Sequence, residues 1–324
     1  ATPVFDSKLY QDYQALLYEN VESTELDYAT LGISQRQKHE PLISVILVAR
    51  NEDEWLRKCV ESLNSAKSYT NFEIVVIDDQ SSDDCVSDLQ LDQGFVTNGI
   101  GPSRARNLGA DKARGDILIF CDAHLKFPDL WLDQLVQPIL DQRADAVNPI
   151  ISDIAVPTTL GFGWDFDSNT YEYKWSGATE NFRVQSGVAG GCLAIKKSVF
   201  NRVGQFDHGF IRWGMEDSEL SLRLVLSGYR LALEPSVTVG HFFKEANDYG
   251  VDWLSYNYNF LRMAYINMDR EGVKTVFSKV PGSMEDKVAL FDLVVKTSGE
   301  RKMFADLNRR MAFSDFLIQF SRPM

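Results

Sequence analysis

Ile117-Leu118-Ile119-Phe120-Cys121-Asp122-Ala123-His124 is the stretch that decides how this chain is read. Four successive apolar residues, two of them β-branched, fit a strand buried on both faces. The run stops in a carboxylate and an imidazole separated by one small residue. Alternate residues of an extended segment point the same way, so Asp122 and His124 can face one ion. Carboxylate plus imidazole suits Mn²⁺, and related divalent ions such as Mg²⁺ are tolerated. Three residues alone carry little information, so the neighbourhood has to decide.

Working outward, Ile43 to Val48 and Ile74 to Ile77 repeat the buried-strand pattern. Between them Glu54 to Ala66 reads as an amphipathic helix, with Trp55, Leu56, Cys59, Val60 and Leu63 on one face. Arg104 to Ala113 and Trp131 to Leu140 are further helices, and Ala146-Val147 opens another strand. This alternation predicts an α/β fold, a doubly wound and mostly parallel sheet flanked by helices. Ligands of such sheets bind beyond the carboxyl ends of the strands. Three polar clusters sit there: Arg50-Asn51-Glu52, Asp78-Asp79-Gln80-Ser81-Ser82-Asp83 and Asp122-Ala123-His124.

Residues 151–185 read as a long irregular loop. Val188 to Ile195 returns to strand character behind Gly190-Gly191. Glu216 to Ser227 reads as a helix with a Gly228 stop, and a strand near Leu231 leads to Gly240-His241. Beyond it Val251, Leu254, Tyr258, Leu261, Tyr265 and Met268 form a helical stripe, and residues 284–297 and 302–321 read as two more helices. Residues 1–40 are polar and helix-leaning, with Phe5, Leu9, Tyr13, Leu16 and Leu17 at helical spacing. The expected division is an N-terminal helical extension at 1–40, a catalytic domain at 41–245 and a helical C-terminal region at 246–324.

Composition narrows the function. Of 324 residues, 44 % are hydrophobic and 24 % charged, as in globular proteins. The formal net charge of −13 comes without a basic stripe, which argues against nucleic acid as a partner. An acidic protein can still hold a phosphorylated molecule through a divalent cation set between its carboxylates and the phosphates. The four cysteines, Cys59, Cys85, Cys121 and Cys192, show neither C-x-x-C spacing nor a His/Cys cluster. Cys121 and Cys192, within apolar runs, read as buried thiols, and the set fits a reduced, cytoplasmic setting. No run approaches the length that spans a bilayer, and the opening residues do not resemble a secretory leader.

Other residues add to the Asp122 pair. His241, in Val239-Gly240-His241-Phe242-Phe243, stands where a solvated histidine has no reason to be; it is either a packed core residue or a ligand. Asp78 or Asp79 can accept a hydrogen bond from a uracil or ribose group, or cap the turn that follows. Arg104 and Arg106 near a helix start can meet a diphosphate or form ordinary ion pairs. Trp213-Gly214-Met215-Glu216-Asp217 offers an aromatic plate beside two carboxylates. Those acids either satisfy the helix dipole or take a proton from a nucleophile.

The ordered set of motifs resembles a glycosyltransferase of the GT-A fold. Residues 43–124 resemble glycosyltransferase family 2, through Ile77-Asp78-Asp79-Gln80-Ser81-Ser82-Asp83, Ala105-Arg106-Asn107-Leu108-Gly109-Ala110 and Arg114-Gly115-Asp116. Residues 187–244 are similar to polypeptide N-acetylgalactosaminyltransferases and β-1,4-galactosyltransferases. The matching pieces are Gly190-Gly191-Cys192-Leu193-Ala194-Ile195, Gly204-Gln205-Phe206-Asp207, Trp213-Gly214-Met215-Glu216-Asp217 and Val239-Gly240-His241-Phe242-Phe243-Lys244. The resemblance implies that Asp122, His124 and His241 hold Mn²⁺ against the diphosphate and that Asp78 or Asp79 contacts uracil. It implies also that Gly190, Gly191 and Trp213 line the reacting sugars, and that the loop after Lys244 is a lid. It further implies a UDP-sugar donor, carrying a hexose or N-acetylhexosamine, and a peptide or protein acceptor, with a glycan as the alternative. The polypeptide-modifying enzymes, which retain anomeric configuration, carry Glu-Asn where this chain has Glu216-Asp217; inverting relatives carry Glu-Asp. Inversion with Asp217 as base is therefore expected. A non-catalytic nucleotide-sugar-binding protein on the same fold would have lost a ligand or the base, and none is lost. A nucleotidyltransferase would need a Gly-rich basic loop after the first strand, which Arg50-Asn51-Glu52-Asp53 is not.

Overall fold

The computed structural model describes residues 41–243 and 252–320, together with the backbone of a strand at Ser23–Glu25 (β1). The chain continues through β2 (Ile43–Ala49), α1 (Glu54–Ser65), β3 (Phe72–Asp78), β4 (Gln93–Thr97), α2 (Pro102–Lys112) and β5 (Ile117–Asp122). A short β6 (Leu125–Lys126), α3 (Trp131–Leu140) and β7 (Ala146–Asp153) follow. Next come β8 (Leu160–Gly161), β9 (Trp164–Asp167), β10 (Glu172–Trp175), β11 (Arg183–Gln185) and β12 (Cys192–Lys196). The remainder is α4 (Lys197–Arg202), α5 (Glu216–Leu226), β13 (Leu231–His241), α6 (Trp253–Asn267), α7 (Arg270–Lys279), α8 (Met284–Asn308) and α9 (Phe313–Phe320).

The apolar strands are apolar at every position because both faces are covered. Val45, Leu47, Ile74, Val76, Ile119 and Cys121 point to one face, against Leu56, Cys59, Val60 and Leu63 of α1 and Leu132, Leu135 and Val136 of α3. Ile46, Val75, Ile77, Leu118 and Phe120 point to the other, against Ala105 and Ala110 of α2 and Leu220 and Leu224 of α5. Each Val, Leu, Ile or Phe among them contributes about 1.5–3 kcal/mol on burial.

The main sheet runs β1-β4-β3-β2-β5-β12-β7-β13-β11. Strands β4, β3, β2 and β5 are parallel, as expected. Strand β12 is antiparallel to both neighbours, β5 and β7, and β13 is again parallel to β7. The sheet is therefore mixed rather than doubly wound throughout. Four buried apolar or small residues at 192–195, followed by Lys196, give no sign of direction, since a strand buried on both faces reads the same either way.

Three expectations change in detail. Residues 23–25, within the stretch read as helix-leaning, pair antiparallel with β4; the rest of 1–40 lies outside the described residues, as does the stretch after Lys244 read as a lid. The region 151–185 is not one loop. It carries the end of β7, strands β8 and β11 on the main sheet, and the β9–β10 hairpin, each short strand being four residues or fewer. Residues 284–308 form one helix in place of a break near residue 300. A glycine inside a helix costs about 1 kcal/mol. Here Ser298 beside Gly299 is fully buried and accepts from Arg262, so packing holds the turn together.

That contact belongs to a buried ionic network joining the C-terminal helices to the sheet domain. Asp207, fully buried, takes both Nε (2.7 Å) and Nη2 (3.0 Å) of Arg262 on α6. Arg301 of α8 lies 3.9 Å from Asp207 and donates to the carbonyls of Gly204 and Gln205. Glu219 grips Arg223 through two 2.7 Å bonds and accepts from Asn267.

Candidate active site

The strand ends bring the sequence-predicted residues together. Strand β5 ends at Asp122, and Ala123-His124 forms a turn instead of continuing the extended strand that the D-x-H reading assumed. Strand β6 then pairs antiparallel with the end of β13, placing Leu125 opposite His241. The register of β13 against β7 shifts between Glu234 and Thr238, so a bulge beside Pro235 sets which residue reaches the site. The outcome is a cluster of Asp122, His124 and His241 whose ligand atoms all lie within 4.8 Å of one another.

This donor set fits a divalent cation. His241 Nε2 lies 3.2 Å from Asp122 Oδ2, a contact that needs a shared proton which a cation can replace. His241 Nδ1 is buried without a hydrogen-bond partner. His124 Nδ1 lies 3.0 Å from Glu52 Oε2, so the carboxylate fixes the ring and ligation falls to Nε2. The two imidazoles meet edge to face, 4.8 Å between centroids. Burial opposes ionisation of Asp122, but the His241 hydrogen bond and the charge of Arg106 hold its carboxyl well below the usual range. It is an anion ready to bind a metal.

Opposite this cluster stand Glu216 and Asp217 in the first turn of α5. The loop before them bends sharply: Arg212, Gly214 and Met215 all have positive φ, at 53°, 116° and 69°. A Cβ at Gly214 would lie 2.7 Å from Tyr256 Cδ2, so glycine is needed there on both counts. The bend leaves Trp213 44 % exposed at the site's edge, its ring 6.3 Å from Tyr256, which in turn meets Trp253. Asp217 Oδ2 accepts from the backbone N–H of Gly190 at 2.9 Å. Burial pushes the Asp217 carboxyl up to about 7; Arg106 opposes the rise, and the charges of Glu216 and Asp122 add to it. A carboxylate poised near neutrality suits a general base.

Gly190 and Gly191 sit where side chains would collide with acids. A Cβ at Gly190 would lie 2.5 Å from Asp217 Oδ2 and closer still to Oδ1, and one at Gly191 would lie 3.2 Å from Asp122 Oδ2. Asn148, buried on β7, holds this strand entry by accepting from Ala189 and donating to its carbonyl. The Gly191 carbonyl accepts from Asp122 N–H at 3.0 Å.

The remaining candidates separate. Asp79 accepts from Thr97 Oγ1, Ile100 N–H and Gly101 N–H, which shapes the turn into α2. Asp78 accepts from Ser81 N–H through Oδ1. Arg104 donates to the His208 carbonyl. Arg106 is buried between Asp122, Glu216 and Asp217 at 3.2–3.4 Å. Sequence reasoning placed Glu52 at a strand end without giving it a task, and it overlooked Asn148 and Tyr256; only the strand-end position of Glu52 offered a signal.

Two family models match the chain, "Glycosyl transferase family 2" over residues 44–204 and "N-terminal domain of galactosyltransferase" over 179–246. The chain belongs to the family 2-like glycosyltransferases of the GT-A fold. Among curated relatives, polypeptide N-acetylgalactosaminyltransferase 11 of Xenopus tropicalis is 30 % identical over 268 residues, covering 71 % of this chain and 43 % of the relative. Probable N-acetylgalactosaminyltransferase 8 of Caenorhabditis elegans is 27 % identical over 321 residues, with 88 % and 72 % covered. The inactive polypeptide N-acetylgalactosaminyltransferase-like protein 5 of Macaca fascicularis is 30 % identical over 281 residues, with 76 % and 62 % covered. The match thus spans under half of the first of these relatives. Among solved structures, that of GalNAc-T7 with UDP, GalNAc and Mn²⁺ superposes with a TM-score of 0.71 at 20 % identity, over 98 % of this chain and 66 % of the other. S. aureus TarS 1-349 in complex with UDP-GlcNAc gives 0.52 at 14 % identity, over 80 % and 72 %. At these identities the likeness is one of fold. Among the described residues, no helix is long and apolar enough to cross a membrane.

Proposed function

We propose that this chain transfers a hexose or N-acetylhexosamine from a UDP-sugar to a hydroxyl of a peptide or protein, with inversion at the anomeric carbon. The observation that carries the reading is the pairing of a three-ligand cluster, Asp122, His124 and His241, with a carboxylate, Asp217, whose pKa of about 7 lies far above its ordinary range. The relatives' names support an N-acetylhexosamine donor and a polypeptide acceptor. Mn²⁺ held by the three ligands would neutralise charge on the departing diphosphate.

The chain's own residues do the rest. Gly190 N–H and Arg106 aim Asp217, which takes the acceptor's hydroxyl proton. Trp213 offers a flat apolar face to a sugar ring. Asp79 is committed to the turn before α2 by three hydrogen bonds, so contact with uracil falls to Asp78.

A screen of nucleotide sugars for hydrolysis and peptide transfer, with Mn²⁺ and with chelator, tests this. Turnover should require the metal and disappear in Asp122→Ala and His241→Ala. Retained turnover under chelation refutes the metal assignment, and a product with the donor's own anomeric configuration refutes inversion. A chain that binds UDP-sugar yet turns none over fits a non-catalytic role, the condition named for the Macaca fascicularis relative.

A further inference from the structure

Arg106 was expected from sequence to meet the donor's diphosphate, and its surroundings point elsewhere. Three carboxylates are held around it by one scheme, each giving one oxygen to the guanidinium and the other to a separate donor. Asp122 uses Oδ1 for Nη2 at 3.2 Å and Oδ2 for His241 Nε2 at 3.2 Å. Glu216 uses Oε1 for Nη1 at 3.4 Å and Oε2 for Gly214 N–H at 2.8 Å. Asp217 uses Oδ1 for Nη1 at 3.4 Å and Oδ2 for Gly190 N–H at 2.9 Å. The guanidinium carbon lies 5.5 Å from the centroid of the Phe206 ring, and the whole residue is only 7 % exposed.

We infer that Arg106 is the spacer and internal counter-ion of the catalytic centre, a positioning residue that fixes Glu216 and Asp217 relative to the metal ligand Asp122, and not a ligand of the donor's diphosphate. This rests on the proposed glycosyl transfer. A phosphate oxygen reaches Nη1 only by displacing Glu216 or Asp217, neither of which has another ion-pair partner among the described residues. Two unit charges 4 Å apart repel by about 4 kcal/mol at an effective dielectric constant near 20, so releasing any of the three is costly. The planar fork of arginine spans three partners; a lysine supplies the same charge from a single point.

The placement has a second consequence. A fixed positive charge against Asp122 lowers the affinity of the neighbouring site for a dication. Arg106→Gln should therefore bind Mn²⁺ about tenfold more tightly in the absence of nucleotide. Its kcat should fall by about 100-fold, because Asp217 loses its aim, while the donor KM stays within about threefold. Arg106→Lys restores charge without the fork, so its Mn²⁺ affinity should match the parent while kcat stays reduced by about tenfold.

Mn²⁺ affinity is read by electron paramagnetic resonance or calorimetry, UDP affinity by titration at saturating Mn²⁺, and folding by melting curves. Unchanged Mn²⁺ affinity with UDP binding weakened tenfold or more would make Arg106 a phosphate ligand and overturn the inference. Should Arg106→Gln fail to fold, Arg106→Lys decides, since parental kcat in that variant also overturns it. A parent chain that binds Mn²⁺ but transfers no sugar sinks the proposed function and leaves the predicted shift in Mn²⁺ affinity to stand or fall by itself.

Discussion

Gly190→Ala is the sharpest perturbation this site offers. A Cβ at residue 190 would lie 2.5 Å from Asp217 Oδ2 and closer still to Oδ1, against 3.4 Å where ordinary contact begins, so the carboxylate must retreat by more than about 0.9 Å. That movement breaks the 2.9 Å hydrogen bond from Gly190 N–H and lengthens the 3.4 Å contact with Arg106 Nη1. A hydrogen bond to a charged group contributes about 1.5–3 kcal/mol, and an ångström of misplacement at a reacting centre costs about 100-fold in rate. Sugar transfer measured at saturating donor and Mn²⁺ should therefore show kcat reduced by about 100-fold, with the chain folded. Mn²⁺ affinity should stay within about threefold, since Asp122 and His241 are not displaced. A Gly190→Ala chain with parental kcat would refute Asp217 as the base and the Gly190 tether together.

Other perturbations reach different parts of the site. Glu52→Gln weakens the hold on His124 Nδ1; Mn²⁺ affinity by calorimetry should fall about 10- to 100-fold, as for other carboxylates behind a metal-binding histidine. The pH profile of kcat/KM should climb towards a plateau above about 7, because burial raises the Asp217 carboxyl to about 7 and only its ionised form accepts a proton. The same shift makes ionised Asp217 a cost to the fold that grows from about pH 4 to about pH 7, so Asp217→Asn should be relatively more stable at neutral pH while losing about 100-fold or more in kcat. Asp79→Ala strips three hydrogen bonds from the turn before α2 and should lower the melting temperature. Asp78→Ala should weaken UDP binding with less effect on melting, and the reverse pattern would reassign the uracil contact.

The buried strands, their helices and the edge of the sheet that carries the site were legible because period and composition agree over long runs, as in Ile43–Ala49 and Ile117–Asp122. Asp122, His124 and His241 could be named together only because an ordered set of motifs tied residues more than a hundred positions apart. What the sequence hid is non-local. The direction of β12 depends on its neighbours. The bulge beside Pro235 decides the register of His241, and no local pattern marks its effect. Arg106 is hidden for a different reason: an arginine at a helix start reads the same whether its partners are phosphates or three acids from distant segments. Glu52 sat in a noticed polar cluster, yet its task appears only once His124 turns towards it. The hairpin at 164–175 escaped because strands of four residues are too short to show alternation.

The boundary at residue 245 looks natural on paper, where strands end and helices begin. In the folded chain it cuts an electrical circuit. Asp207 lies on the sheet side of that line, and its two arginine partners, Arg262 and Arg301, both lie beyond it. A chain shortened there would leave a carboxylate in the interior with no cation to answer it, a loss of about 3–5 kcal/mol when one member of such a buried pair is removed. The helices after residue 252 are therefore no detachable appendage. Anyone transplanting this catalytic unit, or searching for its smallest working form, has to carry them along.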